Sequence, residues 1–355
     1  MVKSFSNKIW TNRRVLVTGH TGFKGVWLSH ILQSIGAETV GYSLPLDDSN
    51  ALFASSSGLE KITSFFGDIR DFSQLRKIVV QFQPEVIFHL AAQPLVLDAY
   101  NDPVGTYATN VIGTANLFEA ARELKHCRAI INVTTDKCYE NNEWEWGYRE
   151  NDRLGGADPY SSSKACSEIL TQSFRRSYFE KLGIGVATAR AGNVIGGGDW
   201  AKNRIVPDVI NAFHNKATLI LRNPEATRPW QHVLEPLHGY LKLAEELCVN
   251  PLKYSGPWNF GPDDDGFKTV KWLVDAMSAS LGFKIECQID DNLHKKHEAQ
   301  LLKLDNSKAL SSLGWRPKWP AETCVQKTVE WYLSHLRGSQ PTELINNQIH
   351  EFFGP

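Results

Sequence analysis

The sequence lacks the features that mark membrane, secreted and nucleic-acid-binding proteins. Its apolar stretches stay below the roughly eighteen residues of a membrane-spanning helix, and the opening MVKSFSNKIW has no signal-peptide core. Lysine and arginine total 38 against 39 aspartates and glutamates, so no charge excess would attract nucleic acid or an anionic membrane. We therefore expect a cytoplasmic protein that holds any anionic ligand with local groups.

Cysteine is also sparse. The six cysteines are scattered, with no CxxC pair and no cluster with histidine. This spacing predicts reduced thiols and no metal site. By contrast, 355 residues with 42% apolar side chains can bury a large core, in two domains or in one enlarged α/β domain.

Strand-like and helix-like segments alternate through the first half. Apolar runs typical of buried strands stand at residues 14–17, 37–42, 62–66, 84–90 and 129–134. Between them, residues 26–35, 72–82 and 103–124 show the apolar repeat of a helix. Strands separated by helix-length segments predict parallel βαβ units, and hence an α/β fold with a doubly wound parallel sheet.

The stretch TGHTGFKG, residues 18–25, lies between the first predicted strand and the first predicted helix. Gly19, Gly22 and Gly25 let the backbone approach a pyrophosphate, which free N–H groups at the helix start can bind. This position predicts a Rossmann-type dinucleotide site. Further candidate cofactor contacts from the same loop are Thr21, Phe23 and Lys24.

The end of the second strand bears on the choice between NAD and NADP. Residues 41–44, GYSL, contain neither an acid for a ribose hydroxyl nor an arginine for a 2′-phosphate, and Asp47 and Asp48 come slightly late. The missing basic cluster favours NAD, although the strand end alone leaves NADP open. After the third strand, Asp68 is predicted to accept from the adenine amino group while Ile69 packs on the ring. A plain Asx turn is the alternative.

Tyr160 and Lys164 stand four residues apart in DPYSSSK, at the start of a helix-like segment, so they share one helix face. A lysine ammonium near a phenol favours the phenolate, which predicts that the pKa of Tyr160 falls from about 10 toward neutrality. Tyr160 is then a candidate general base for a hydroxyl proton. A surface pair is the alternative, but the order behind a dinucleotide loop argues against chance.

Four stretches carry a family resemblance, beside HLAAQ at 89–93 and Asn110. They are TGHTGFKG, TTDKCYEN (134–141), GNVIGGGDW (192–200) and RPWQHVLEPL (228–237). With them the sequence resembles the extended short-chain dehydrogenase/reductases, and more narrowly the nucleotide-sugar 4,6-dehydratases, over nearly its whole length. The resemblance implies a dinucleotide-binding domain at 1–190, with a return near 229–260, and a mainly substrate-binding domain at 191–355. Further cofactor contacts that it implies are Ser43, Leu90, Ala91 and Ala92.

The resemblance also implies a bound NAD and a closed redox cycle on CDP-glucose. Hydride passes from sugar C4 to NAD, water leaves across C5 and C6 of the 4-keto sugar, and hydride returns to C6. The product, CDP-4-keto-6-deoxyglucose, would serve deoxysugar synthesis for O antigen and lipopolysaccharide. A homodimer built from the helices near 103–124 and 158–180, or a higher homo-oligomer, is implied in the same way.

Residue roles follow from the same resemblance. Thr135 should hydrogen-bond the C4 oxygen while Tyr160 takes its proton, and Lys164 should tune Tyr160 and hold the nicotinamide ribose. Asp136 should protonate the leaving C6 hydroxyl. That role requires the carboxyl to be protonated, and hence a pKa raised by burial.

Lys137 departs from much of the family, where a glutamate at this place removes the C5 proton. A lysine serves as a base only when neutral, and burial near Lys164 would lower its pKa. Alternatively, a charged Lys137 stabilises the C5 enolate and another group takes the proton. A third interpretation is a structural salt bridge to Asp136 or Glu140.

The second half supplies candidate contacts to the sugar nucleotide. Asn193 and Arg228 match family positions that meet the diphosphate, and guanidinium geometry suits a bidentate phosphate contact. Arg204 precedes a helix start that favours anions. His297 is a candidate contact to the ribose or base, with a structural turn as an equal alternative.

Two other functions remain open. A nucleotide-sugar 4-epimerase shares the fold, NAD, Thr135, Tyr160 and Lys164, but needs no acid at C6, so Asp136 favours dehydration. A catalytically inactive dinucleotide-binding module is disfavoured because the tyrosine and the lysine are both present. The nucleotide base remains open among cytidine, thymidine, uridine and guanosine, since base selection rests on loops that the sequence does not identify.

Overall fold

The computed structural model describes residues 7–46, 51–59, 62–289 and 299–354. Its strands are β1 (Arg14–Thr18), β2 (Glu38–Ser43), β3 (Thr63–Phe66), β4 (Val86–His89), β5 (Ala129–Val133), β6 (Gly185–Ala191), β7 (Val194–Ile195), β8 (Leu219–Leu221), β9 (Thr227–Pro229), β10 (Gln231–His232), β11 (Gly256–Phe260), β12 (Phe267–Thr269) and β13 (Cys287–Ile289).

The α-helices are α1 (Asn7–Trp10), α2 (Phe23–Ser34), α3 (Ala51–Ser55), α4 (Phe72–Phe82), α5 (Val96–Asn101), α6 (Pro103–Tyr107), α7 (Gly113–Ala121), α8 (Pro159–Phe174), α9 (Glu180–Leu182), α10 (Ile205–Asn215), α11 (Leu234–Val249), α12 (Pro251–Tyr254), α13 (Val270–Leu281), α14 (Ala321–Leu336) and α15 (Pro341–Phe353). π-helical segments join α6 to α7 (Ala108–Ile112) and α8 to α9 (Arg175–Phe179), and a third spans Ala309–Leu313. None of these described helices is both long and apolar enough to cross a membrane.

Seven strands form one parallel sheet in the order β11-β6-β5-β4-β1-β2-β3. The strand order reverses beside β1, which pairs with β2 on one side and with β4 on the other. In such sheets, ligands bind beyond the carboxyl ends of the strands at this reversal. The predicted doubly wound α/β fold is confirmed.

Both faces of the sheet are covered, which explains why its strands read as nearly continuous apolar runs. In β1, Val15 and Val17 face a core shared with α2 and α11, whereas Leu16 faces a core shared with α4 and α7. This alternation is the period of two that a strand imposes on its side chains. Two helical layers therefore fix the sheet and leave its carboxyl edge open.

The helix predicted over 103–124 differs from the structure in one instructive way. It begins at Pro103, where the Asp102 carboxylate accepts a hydrogen bond from Gly105 N at 2.9 Å, but it ends at Ala121. It also contains the π-helical segment, which carries the buried Asn110. Such insertions are frequent at functional sites. The short α5 before it was not predicted.

The part of the chain after β6 adds one strand to the large sheet and three small sheets outside it. β11 pairs with β6 in parallel, so residues 256–260 return to the sheet that the first half begins. The pairs β7–β10, β8–β13 and β9–β12 lie apart from it. The division into domains at residue 190 stays a prediction.

Candidate active site

A cleft of about 970 Å³ opens at the carboxyl edge of the large sheet. It brings together every candidate site residue of the sequence except His297, which lies outside the described residues. Those that line it are Gly19, Thr21, Gly22, Phe23, Lys24, Gly25, Ser43, Asp68, Ile69, Leu90, Ala91, Ala92, Thr135, Asp136, Lys137, Tyr160, Lys164, Asn193, Arg204 and Arg228.

The glycine loop is packed so tightly that two of its glycines cannot be replaced. Gly19 has a φ of +74°, and a Cβ there would lie 2.7 Å from the Ala91 nitrogen. A Cβ on Gly25 would lie 2.1 Å from the Gly19 carbonyl oxygen. Gly22 caps α2 without a side-chain hydrogen bond, so the first N–H groups of the helix remain available to an anion.

His20 belongs to this loop and helps to hold it in place, a role that the sequence interpretation missed. Its ring lies 2.9 Å from the hydroxyls of both Ser43 and Ser64, and burial lowers its pKa to about 4. Gly41 makes room for the ring, because a Cβ there would lie 2.2 Å from it. The neutral imidazole thus ties the loop to β2 and β3.

Asp68 lines the cleft, and its carboxylate is already hydrogen-bonded within the protein. Its carboxylate accepts hydrogen bonds from the Arg70 backbone N–H at 2.8 Å and from the Arg70 Nε at 2.9 Å. These bonds lower the pKa of Asp68. The backbone bond is the Asx turn that was the alternative interpretation, and Arg70 is a cleft residue that the sequence interpretation did not include.

Thr135 and Asp136 follow β5 in a 3₁₀ turn that directs both side chains into the cleft. The Thr135 hydroxyl donates to Asp136 Oδ1 at 3.0 Å, while Asp136 Oδ2 is buried without a hydrogen-bond partner among the described residues. Burial raises the pKa of Asp136, against the lowering effect of Lys137 and Arg228. The predicted direction of this pKa shift is confirmed.

Tyr160 and Lys164 lie on the same face of α8, but the predicted effect of Lys164 is wrong. Burial raises the pKa of Tyr160 to about 12, against the lowering effect of a hydrogen bond with Thr135. The Lys164 ammonium donates to the Val133 carbonyl at 3.1 Å, and burial lowers its own pKa to about 8. Desolvation, which the i, i+4 spacing does not reveal, therefore outweighs the neighbouring charge.

A buried ion pair lies one helical turn beyond Lys164. Glu168 accepts hydrogen bonds from Arg190 Nε at 3.0 Å and Nη2 at 2.8 Å, and from the hydroxyls of Thr134 and Thr188. The Glu168 charge raises the pKa of Lys164 against the effect of burial. The sequence interpretation missed Glu168, although its spacing from Tyr160 and Lys164 placed it on their helix face.

Lys137 lies half-buried at the cleft wall. Among the residues that the structure describes, no carboxylate lies within 4.0 Å of its ammonium, and Glu140 pairs instead with Arg153 at 3.0 Å. The structural salt bridge to Asp136 or Glu140 is therefore not formed. Its charge still acts on Asp136 by lowering the pKa of that carboxyl.

Cations that line the cleft act on Asp136. The buried Arg228 and the loop residue Lys24 both lower the pKa of Asp136, while burial together with Arg204 and Lys164 lowers the pKa of Lys24 to about 8. Arg204 is held by Asp199, with Nη1 2.8 Å from Oδ2. These groups form a positive region in the cleft, and Asn193 lies at its wall.

Two polar residues beside the site have a structural role: they hydrogen-bond to neighbouring side chains and backbone and do not line the cleft. His89 is buried between Thr18 and Thr114, whose hydroxyls lie 2.6 and 3.0 Å from its ring nitrogens. Asn110 accepts from Gln93 N at 2.8 Å and donates to Ser163 Oγ at 2.9 Å. Within the described ranges, no three side chains suited to a metal ion come together.

Sequence comparison relates the chain to enzymes of one class. The family model described as GDP-mannose 4,6 dehydratase matches residues 16–328. A CDP-glucose 4,6-dehydratase of Salmonella typhimurium is 46% identical over 348 residues, which cover 97% of each chain. The dTDP-glucose 4,6-dehydratase 1 of Escherichia coli K12 is 27% identical, with 91% of this chain and 94% of that protein covered.

Solved structures share the fold. The dTDP-glucose 4,6-dehydratase from Bacillus anthracis, in complex with NAD, has a TM-score of 0.74 at 22% identity and covers 93% of this chain and 99% of its own. The UDP-glucose 4-epimerase of Thermotoga maritima, with UDP-glucose, has a TM-score of 0.77 at 21% identity, with 91% and 99% covered. Because a dehydratase and an epimerase match equally well, these similarities establish the fold alone.

Proposed function

The chain belongs to the GDP-mannose 4,6 dehydratase family, and on that premise we propose that it converts CDP-glucose into CDP-4-keto-6-deoxyglucose. The overall change is oxidation at C4, loss of water across C5 and C6, and reduction at C6. The high identity to a CDP-glucose 4,6-dehydratase supports the choice of substrate. The arrangement around Asp136 supports the loss of water.

The glycine loop fits the pyrophosphate of NAD. No side chain stands at Gly19, Gly22 or Gly25, and the uncapped start of α2 offers N–H groups to an anion. A bound NAD would supply reversible hydride transfer, first from C4 and then to C6. Ser43, Asp68 and Ile69 would hold its adenosine half, and Lys164 its nicotinamide ribose.

Thr135 and Tyr160 act at the C4 hydroxyl. Thr135 orients the oxygen, and Tyr160 removes its proton as the C4 carbon is oxidised. Since burial raises the pKa of Tyr160 to about 12, proton removal needs positive charge near the phenol. The Arg204 charge lowers this pKa, and the oxidised cofactor would lower it further. The ketone at C4 stays in the product, so Tyr160 releases the proton that it has taken to solvent, and Asp136 takes up a proton again before the next cycle.

Asp136 acts at C6. Burial raises its pKa, which favours the protonated carboxyl, and Oδ2 has no partner among the described residues, so the protonated acid can donate to the leaving C6 hydroxyl. Lys137 lies beside Asp136 at C5. It removes the C5 proton when neutral, or stabilises the enolate when charged. A matched pair of substitutions, described below, separates these two roles.

Arg228 and Arg204 are the proposed partners of the sugar diphosphate. Both are guanidinium groups at the cleft wall, and the charge of Arg228 acts on Asp136 whereas that of Arg204 acts on Tyr160. A diphosphate held by both would place its sugar between the acid and the phenol. Asn193 would contribute an amide contact.

The observation that carries the proposal is the buried, partly unpartnered carboxyl of Asp136 beside Thr135 and Tyr160. An epimerase also oxidises C4 but expels no hydroxyl, so it needs no acid there. The test is incubation with CDP-glucose, followed by alkali and measurement of the absorbance typical of a 4-keto-6-deoxy sugar. Recovery of unchanged hexose or its C4 epimer would contradict dehydration.

A panel of CDP-, dTDP-, UDP- and GDP-glucose tests the base preference in the same assay. We expect the highest kcat/KM with CDP-glucose. Comparable values with all four nucleotides would contradict the CDP assignment while leaving the dehydratase reaction in place. The relatives that act on dTDP-glucose make this comparison necessary.

The proposal extends to assembly and location. Large apolar side chains are exposed along the two continuous helices that run from α6 to α7 and from α8 to α9, among them Val104, Ile112, Ile169 and Leu182. Two such helices from each subunit would pack as a homodimer. The six cysteines are free thiols, which suits a cytoplasmic enzyme.

A further inference from the structure

One region of the cleft contains charged groups that the proposed reaction does not use. Asp208 lies in the first turn of α10, and Arg222 follows the end of β8. Both side chains line the cleft and are half-buried. They belong to neither the glycine loop nor the group of residues around Asp136.

Charge coupling separates this pair from the catalytic residues. The pKa of Asp136 responds to Lys137, Arg228 and Lys24, whereas that of Asp208 is raised by burial and lowered by Arg222. Arg222 Nη2 donates to the Asn203 carbonyl at 3.0 Å, which fixes the guanidinium on the cleft wall. Among the residues that the structure describes, no hydrogen bond or ion pair engages the Asp208 carboxylate.

Apolar residues close to the pair in the chain also line the cleft, namely Val206 and Pro207 near Asp208, and Ile220 and Leu221 before Arg222. Apolar walls with a few placed polar groups are the usual form of a small-molecule site. A carboxylate and a guanidinium that line the same cleft offer acceptors and several donors to the edge of a bound ring.

We propose that Asp208, together with Arg222 of the same cleft, selects cytosine over uracil and thymine in the nucleotide substrate. Cytosine offers an amino group at C4 and acceptors at N3 and O2, so the carboxylate accepts from the amino group and the guanidinium donates to the acceptors. Uracil and thymine carry a carbonyl at C4, which the carboxylate repels. This inference rests on the proposed function, because it assigns the base-recognising group of the same cleft.

An acidic residue in the first turn of a helix also stabilises the helix dipole. That role is compatible with the proposal, but it is indifferent to which base occupies the cleft. Base discrimination is therefore the readout that separates the two roles, and stability is the control.

The experiment measures the dissociation constants of CDP, UDP and dTDP by isothermal titration calorimetry on the full-length protein, with wild type, Asp208→Asn and Arg222→Met. Asp275→Asn is the matched control, because it makes the same change on the exposed face of α13. We expect wild type to prefer CDP. Asp208→Asn should reduce the ratio of UDP to CDP dissociation constants by about tenfold, since one good base contact contributes about that much discrimination. Asp275→Asn should leave the ratio unchanged.

A wild-type protein without preference for CDP would overturn the inference, as would a ratio that Asp208→Asn and Arg222→Met leave intact. Turnover of CDP-glucose by the wild type, followed through the alkali absorbance, reports on the proposed function separately. Turnover with an unchanged binding ratio contradicts only the role of Asp208. A thermal melt of each variant shows whether the fold persists, and Arg222→Met keeps the test decisive if Asp208→Asn does not fold.

Discussion

At the scale of single residues, Asp136 shows how the fold prepares a carboxyl to act as an acid. Burial raises its pKa, although three cations near it act in the opposite direction. Because the folded-state pKa is raised above the ordinary value of 3.8, the neutral carboxyl contributes stability at low pH, and this contribution is lost as the pH rises through the raised value. The protein therefore holds an acid at a cost in stability near neutral pH.

Asp136→Asn should remove the acid and this cost together. We expect kcat with CDP-glucose to fall by about 10²–10⁴-fold, the usual contribution of a positioned proton donor. The melting temperature should rise at neutral pH, because no carboxyl remains to ionise in the buried site. At pH values below the ordinary carboxyl range the difference in melting temperature should disappear.

The pH dependence of the rate gives the control for this prediction. In wild type the elimination step should slow as the pH rises above the pKa of Asp136, and Asp136→Asn should lack that decrease. A variant that loses activity but melts earlier at all pH values would contradict the argument, since it would indicate general damage to the site.

The role of Lys137 can be determined by measuring exchange of the C5 hydrogen in deuterated water. We expect Lys137→Met to lose this exchange, because neither a base nor a positive charge remains at C5. Lys137→Arg is the matched variant, since arginine keeps the charge but does not act as a base at ordinary pH. Exchange that survives in the arginine variant assigns Lys137 as a stabiliser, and exchange lost in both assigns it as the base. Wild-type exchange in Lys137→Met would remove either role.

At the scale of elements, α8 carries both catalytic residues and a buried carboxylate that stabilises their position. Tyr160, Lys164 and Glu168 are spaced by four residues and share one face, so the helix carries a phenol, an ammonium and the carboxylate that offsets its charge. Beyond Glu168, Arg190 on β6 completes a buried ion pair. The position of the catalytic helix against the sheet therefore depends on this pair.

Glu168→Gln should destabilise the protein by about 3–5 kcal/mol, because it leaves the Arg190 charge buried without its counter-ion. Without the Glu168 charge, the pKa of Lys164 should fall further, since Glu168 raises it in wild type. Urea unfolding measures the first effect and the pH profile of kcat the second. Glu123→Gln, which breaks an exposed pair with Arg76, is the control and should change neither.

The elements show what sequence can and cannot predict in this chain. Periodicity indicated the strands and long helices because burial imposes periods of two and 3.6 on apolar residues. It did not indicate α5 or the π-helical segments, which depend on local backbone geometry. The direction of the Tyr160 pKa was missed because desolvation is a property of the folded site. Asp208 was not identified as a site residue because the helix start in which it lies contains no recognisable sequence motif.

At the scale of the whole molecule, the exposed apolar side chains of α6 to α9 predict assembly. If the proposed dimer forms through these helices, Ile169→Glu should yield a monomer, because it places a charge on a large exposed apolar residue of α8. Light scattering coupled to size-exclusion chromatography measures the mass. Leu252→Glu, which makes the same change at an exposed position of α12, is the control and should leave the mass unchanged. A monomeric wild type would contradict the dimer.

The pairing of β11 with β6 has a consequence for how the chain folds during synthesis. All seven residues of β6 are buried, and among the described residues its outer edge pairs with residues 256–260. At about 5–20 residues per second, the ribosome leaves this edge open for several seconds after β6 has emerged. An open apolar edge strand readily pairs with other chains, so the nascent protein is exposed to such pairing until β11 has emerged.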